Sequence, residues 1–126
     1  VKKHNLHWNL KGPQFFTLHA KLEELYDEAN DILDEVAERI LALGGNPVSN
    51  MKEALAMATI KELDGGPKSA DETIRALISD TDYWIKDSKE IADLADKEGD
   101  SVTNDMFNGY TKAYQKLAWM LKAYNS

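Results

Sequence analysis

The stretch HWNLKGPQFFTLHAKLEELYDEANDILDEVAERI, residues 7–40, decides how this chain is read. Lys11-Gly12-Pro13 interrupts a helical pattern there, since glycine disfavours helix entropically and proline lacks the N–H that helix needs. From Phe15 the pattern resumes and runs unbroken to Leu43. Gly44 and Gly45 then supply a C-cap, and Pro47 prevents continuation. At about 100° per residue, the apolar positions from Leu18 and Leu22 through Ile40 and Leu43 fall within about 40° of one line. That is the core stripe of an amphipathic helix. A second set lies elsewhere: His19 sits about 100° from the stripe, Glu23 about 140°, Asp34 about 160° and Glu38 about 200°. Tyr26, Leu33, Ala37 and Leu41 lie on or beside that arc. A polar face with stray apolar residues is common. A face that mixes histidine, tyrosine and leucine with acids instead predicts a surface that meets another chain and carries ligands.

Spacing sharpens this. His19 and Glu23 are i, i+4 neighbours on a helix, as are Asp34 and Glu38, so each pair can converge on one ion. The pairs are roughly 22 Å apart along the axis, too far to share an ion within one chain. Two copies packed antiparallel about a two-fold axis near residues 28 and 29 would bring His19 and Glu23 of one to Asp34 and Glu38 of the other. Such a dimer carries two equivalent sites. The short turn after the first helix lets His7 fold back towards the same place. Mixed imidazole and carboxylate ligation suits iron, zinc or manganese better than calcium.

The rest of the chain is helical in pattern, with no alternating strand signal. The first helix runs to about Leu10, and a short one, NMKEALAMA, follows Pro47. Ser69 is placed to cap a third long helix, with Glu72 completing a capping box, and that helix ends near Asp96. After KEGDS the last helix covers Val102 to Tyr124. This predicts an all-α four-helix bundle with a short helix in the connection between the second and third helices. A connection that long reads as a crossover, the ferritin-like topology.

The whole is read as one domain, residues 1–126. Net charge is −7, with 22 acids against 15 Lys and Arg. An acidic surface attracts cations and repels nucleic-acid phosphates. Cysteine is absent, which excludes disulfides and thiolate metal sites and fits a reducing compartment. No apolar run is long enough to span a bilayer. The helical pattern is already under way at Val1, so part of the first helix and any tail are expected to lie upstream. His4 has no carboxylate at a matching spacing and is read as without a function. The four methionines read as gap-fillers, and Trp84 and Trp119 as core or interface residues.

HWNLKGPQFFTLHAKLEELYDEANDILDEVAERILALGGNP resembles the signature of the Dps family, the miniature ferritins. The pattern is His-Trp, Lys-Gly-Pro, Phe-Phe and Leu-His, then Asp-Glu-Val-Ala-Glu-Arg before Gly-Gly-x-Pro. It covers roughly a third of the chain, and DKEGDSVTNDM and WMLKAY extend the likeness to nearly all of it. The resemblance implies a hollow homo-dodecamer built from two-fold dimers, cytoplasmic and in some members associated with the nucleoid. It implies oxidation of Fe(II) by hydrogen peroxide at inter-subunit sites, storage of ferric mineral inside, and protection of DNA. Its iron ligands fall on His7, His19 and Glu23 of one chain and on Asp34 and Glu38 of its neighbour. Trp8 and Tyr26 correspond to aromatics near that centre that can donate electrons. Asp96, Asp100 and Asp105 correspond to an acidic entry pore for ferrous ions, although acids there also stabilise a helix N-terminus.

Two departures stand out. Many relatives carry Asp where this chain has Glu23, and some carry Asp at Ser101. The longer Glu23 is expected to keep metal binding while shifting either the metal preference or the second iron position. Two rival readings remain on the residues alone. One is a structural protein that binds and compacts DNA, which the net charge disfavours. The other is an inert helical dimer whose acidic arc is only an interface.

Overall fold

A computed structural model describes residues 1–124 as five helices, and no strand occurs among them. The chain divides into two compact units, Val1–Ala70 and the part that begins at Asp71.

In the first unit, α1 spans Lys2–Asn9 and α2 spans Phe15–Ala42. The break between them holds Gly12 at φ 120°, a conformation that L side chains rarely adopt. α2 ends in a Schellman motif. Gly44, at φ 86°, donates to the Leu41 carbonyl at 3.0 Å, and Gly45 donates to Ile40 at 2.9 Å. A short α3, Met51–Met57, follows, with the Asn50 side chain accepting from the Glu53 N–H at 2.9 Å.

The connection then doubles back onto α1. The Lys68 N–H donates to Asn9 and the Lys68 carbonyl accepts from Lys11, at 2.9 and 2.8 Å. Asn5 Nδ2 donates to the carbonyls of Leu63 and Asp64. Lys68 Nζ closes the loop on the carbonyls of Asp64 and Gly66. The loop is thereby tied to the backbone at the end of α1, the helix that carries His7 and Trp8.

Leu6, Leu10, Leu18, Leu22 and Leu25 are buried, each worth about 2 kcal/mol in removed apolar surface. The apolar stripe weakens towards the C-terminus of α2. Ile32, Val36 and Ile40 are half-buried, and Leu43 is exposed because it stands at the cap, where the helix has already turned away. Met51 and Met57 are exposed, as is all of α3, so they fill no gap in this chain.

In the second unit, α4 spans Ala70–Lys97 and begins directly after Ser69, where the cap was expected. A second Schellman motif closes it, with Gly99 at φ 72° donating to Asp96 and Asp100 donating to Ala95. α5 spans Ser101–Tyr124. The pair is antiparallel: Asn104 Nδ2 donates to the Ala92 carbonyl at 2.8 Å near the turn, and Lys122 meets Asp82 at 3.5 Å farther away. Ala92, Ala95 and Ala118 are buried in this unit. Trp84 stacks on Tyr114. Trp119 is 67% exposed, so it is not a core residue. No helix among the described residues is long and apolar enough to cross a membrane.

Candidate metal centre

His7 and His19 form the centre of the site. The turn at Gly12 brings the end of α1 beside the start of α2, and the two imidazoles stack with centroids 3.6 Å apart and planes 17° from parallel. His7 Nδ1 lies 2.7 Å from the His19 carbonyl oxygen, and His19 Nδ1 lies 2.8 Å from that of His7. A carbonyl oxygen only accepts, so each Nδ1 carries the proton and donates. In the neutral ring that leaves the lone pair on Nε2, where it can serve as a metal ligand. A backbone carbonyl on the far nitrogen is the usual way a protein fixes the tautomer and plane of a ligating histidine. Here the two histidines do this for each other. His7 is buried and His19 half-buried, so the pair is held on its protein side.

Aromatic rings enclose it. Phe15 stacks on His19 at 4.7 Å, and Tyr26 meets His7 edge-on at 5.2 Å. The Tyr26 hydroxyl donates to Glu23 Oε1 at 3.3 Å. Desolvation first, and then the Glu23 charge, push the Tyr26 phenol above its ordinary range. Glu23 is exposed, one turn beyond His19. Among the described residues no three His, Asp or Glu side chains of the chain are gathered closely enough to hold an ion. The chain therefore presents two oriented nitrogens with one carboxylate nearby.

Asp34 and Glu38 lie farther along α2, exposed, as the arc on the second helix predicts. Leu33 and Leu41, on that arc, are also exposed, at 68% and 58%. Trp8 is 67% exposed and tilts against His4 at 5.6 Å. His4 lies flat on Tyr26 at 4.1 Å. Carboxylate spacing gives His4 no role. Its place beside the site shows only in its spacing from Trp8, one turn along α1, and in the approach of α2. Of the three aspartates of the expected pore, Asp96 and Asp105 are exposed. Asp100 caps α5: Oδ1 accepts from the Thr103 N–H at 3.0 Å, and Oδ2 from the Thr103 hydroxyl.

The ferritin-like domain family matches residues 1–126. The chain is 44% identical to the DNA protection during starvation protein 2 of Bacillus anthracis, over 98% of this chain and 84% of that protein. It is likewise 44% identical to general stress protein 20U of Bacillus subtilis, over 98% of this chain and 85% of that protein. Among solved structures, Dps from Staphylococcus aureus superposes with a TM-score of 0.94 at 45% identity, covering 99% of this chain and 83% of that one. The chain has the ferritin-like fold and belongs to the Dps family.

Proposed function

We propose that this protein is a ferroxidase and iron store that oxidises Fe(II) with hydrogen peroxide and protects DNA by removing both reactants. The observation that carries the reading is the His7–His19 pair, two imidazoles held in the metal-binding tautomer by each other's carbonyls. Ferrous iron is the substrate. His7, His19 and Glu23 of one chain bind it together with Asp34 and Glu38 of a second copy. The exposed arc of α2, with Phe16, Leu33 and Leu41 beside the acids, is the face on which that copy docks. Repeating the dimer builds a hollow dodecamer, and the acidic chain favours accumulation of iron cations inside it. Carboxylates favour the ferric product by charge. Asp96, Asp100 and Asp105 supply the entry path. Trp8 and Tyr26 stand ready as electron donors.

The test is anaerobic loading with ferrous iron, then addition of hydrogen peroxide while ferric absorbance is followed. Wild type should react fast with peroxide and slowly with oxygen, and Asp34→Ala should be slowed with both. A wild type no faster than buffer contradicts the reading.

A further inference from the structure

Six rings follow one another across α1 and α2: Phe15, His19, His7, Tyr26, His4 and Trp8. Only the Tyr26 phenol and the Trp8 indole give up an electron readily, since imidazole and benzene rings are much harder to oxidise. Among the described residues these two rings do not touch each other. His4 lies between them, flat on Tyr26 with centroids 4.1 Å apart and 5.6 Å from Trp8. It is half-buried, and its ring plane is only 18° from that of Tyr26.

We propose that His4 is a positioning residue that couples Trp8 electronically to Tyr26, so that a one-electron oxidation reaching either ring is shared between them. Imidazole serves as the bridge and is not itself oxidised. Phenol and indole have similar potentials, so the bridge works in either direction.

The need for such a bridge follows from electron count, and this part rests on the ferroxidase reading. Hydrogen peroxide takes two electrons and a ferrous ion gives one. When a single ferrous ion meets peroxide, the Tyr26 phenol supplies the second electron. The O–O bond breaks and two waters form, with one proton from the phenol and one from solvent. A ferric ion and a phenoxyl radical remain, and no hydroxyl radical escapes. The phenol proton leaves along its hydrogen bond to Glu23. An electron from Trp8 then crosses His4 to the phenoxyl, which takes a proton back, while the indole N–H proton goes to water. The oxidation is then shared between the Tyr26 and Trp8 rings.

Pulse radiolysis of the iron-free protein with azide radicals tests the bridge itself. Azide radicals oxidise indoles first, and transfer to phenol is followed as indolyl absorbance decays and phenoxyl absorbance grows. Trp84 has Tyr83 and Tyr114 beside it, so Tyr26→Phe identifies the phase that ends on Tyr26. That phase should vanish in Tyr26→Phe, slow several-fold in His4→Leu and recover in His4→Phe, which keeps a flat ring. Should His4→Leu fail to fold, His4→Gln carries the comparison. A phase as fast in the unstacked variant as in wild type, or one untouched by Tyr26→Phe, overturns the proposal. No iron is present, so this outcome is independent of whether the protein oxidises ferrous iron.

Discussion

The two hydrogen bonds between His7 and His19 join helix packing to metal chemistry, because each bond holds α1 to α2 and also sets a tautomer. The two roles separate by substitution. In His19→Asn the amide nitrogen reaches where Nδ1 stood and keeps the bond to the His7 carbonyl, but Nε2 is gone. Iron oxidation should be lost while the urea midpoint stays close to wild type. His19→Ala removes both and should also lower stability by about 1 kcal/mol or more. Equal destabilisation by the two variants would show that the bond contributes nothing. The pairing of His7 with His19 was legible from a short turn between two histidines. The reciprocal carbonyl bonds were not, because they depend on how the two helices are rotated about their axes. The same rotation sets His4 against Tyr26, which is why carboxylate spacing passed it over.

At the scale of the element, turn chemistry explains why the helix boundaries could be read closely. Gly44 and Gly99 occupy left-handed positions of two Schellman motifs, and nothing lies within 4 Å of a Cβ added at either. Gly44→Ala and Gly99→Ala should therefore each cost about 1–2 kcal/mol through backbone strain alone, read from urea unfolding. No change in either midpoint would contradict this. Asp100 separates a cap from a pore lining. Asp100→Ala should lose about 1 kcal/mol of stability through the missing N-cap. Asp100→Asn keeps a cap acceptor and removes the charge, so it should leave stability nearly intact and slow the uptake of ferrous iron. Unchanged uptake in Asp100→Asn would leave Asp100 with the capping role only. Exposure was the part that pattern misjudged. Leu43, Met51 and Met57 are apolar and are expected to be packed, yet all are exposed in the single chain, and Trp119 keeps only the interface half of its reading. Period tells which face a residue shares, not what covers that face.

For the whole molecule, the ferritin-like fold was legible because four amphipathic helices and a long connection leave few other ways to bury their apolar stripes. The proposed site divides into two half-sites that one chain cannot unite, with His19 and Asp34 roughly 22 Å apart along α2. If two copies complete each other, mixing two complementary defects restores a whole site. His19→Ala and Asp34→Ala chains, each inactive alone, are unfolded together, refolded and assayed for ferric absorbance with Fe(II) and hydrogen peroxide. In a mixed dimer one site carries both defects and the other carries neither. The mixture should regain activity that neither variant shows alone. A mixture that assembles mixed dimers and remains as inactive as its components would contradict it.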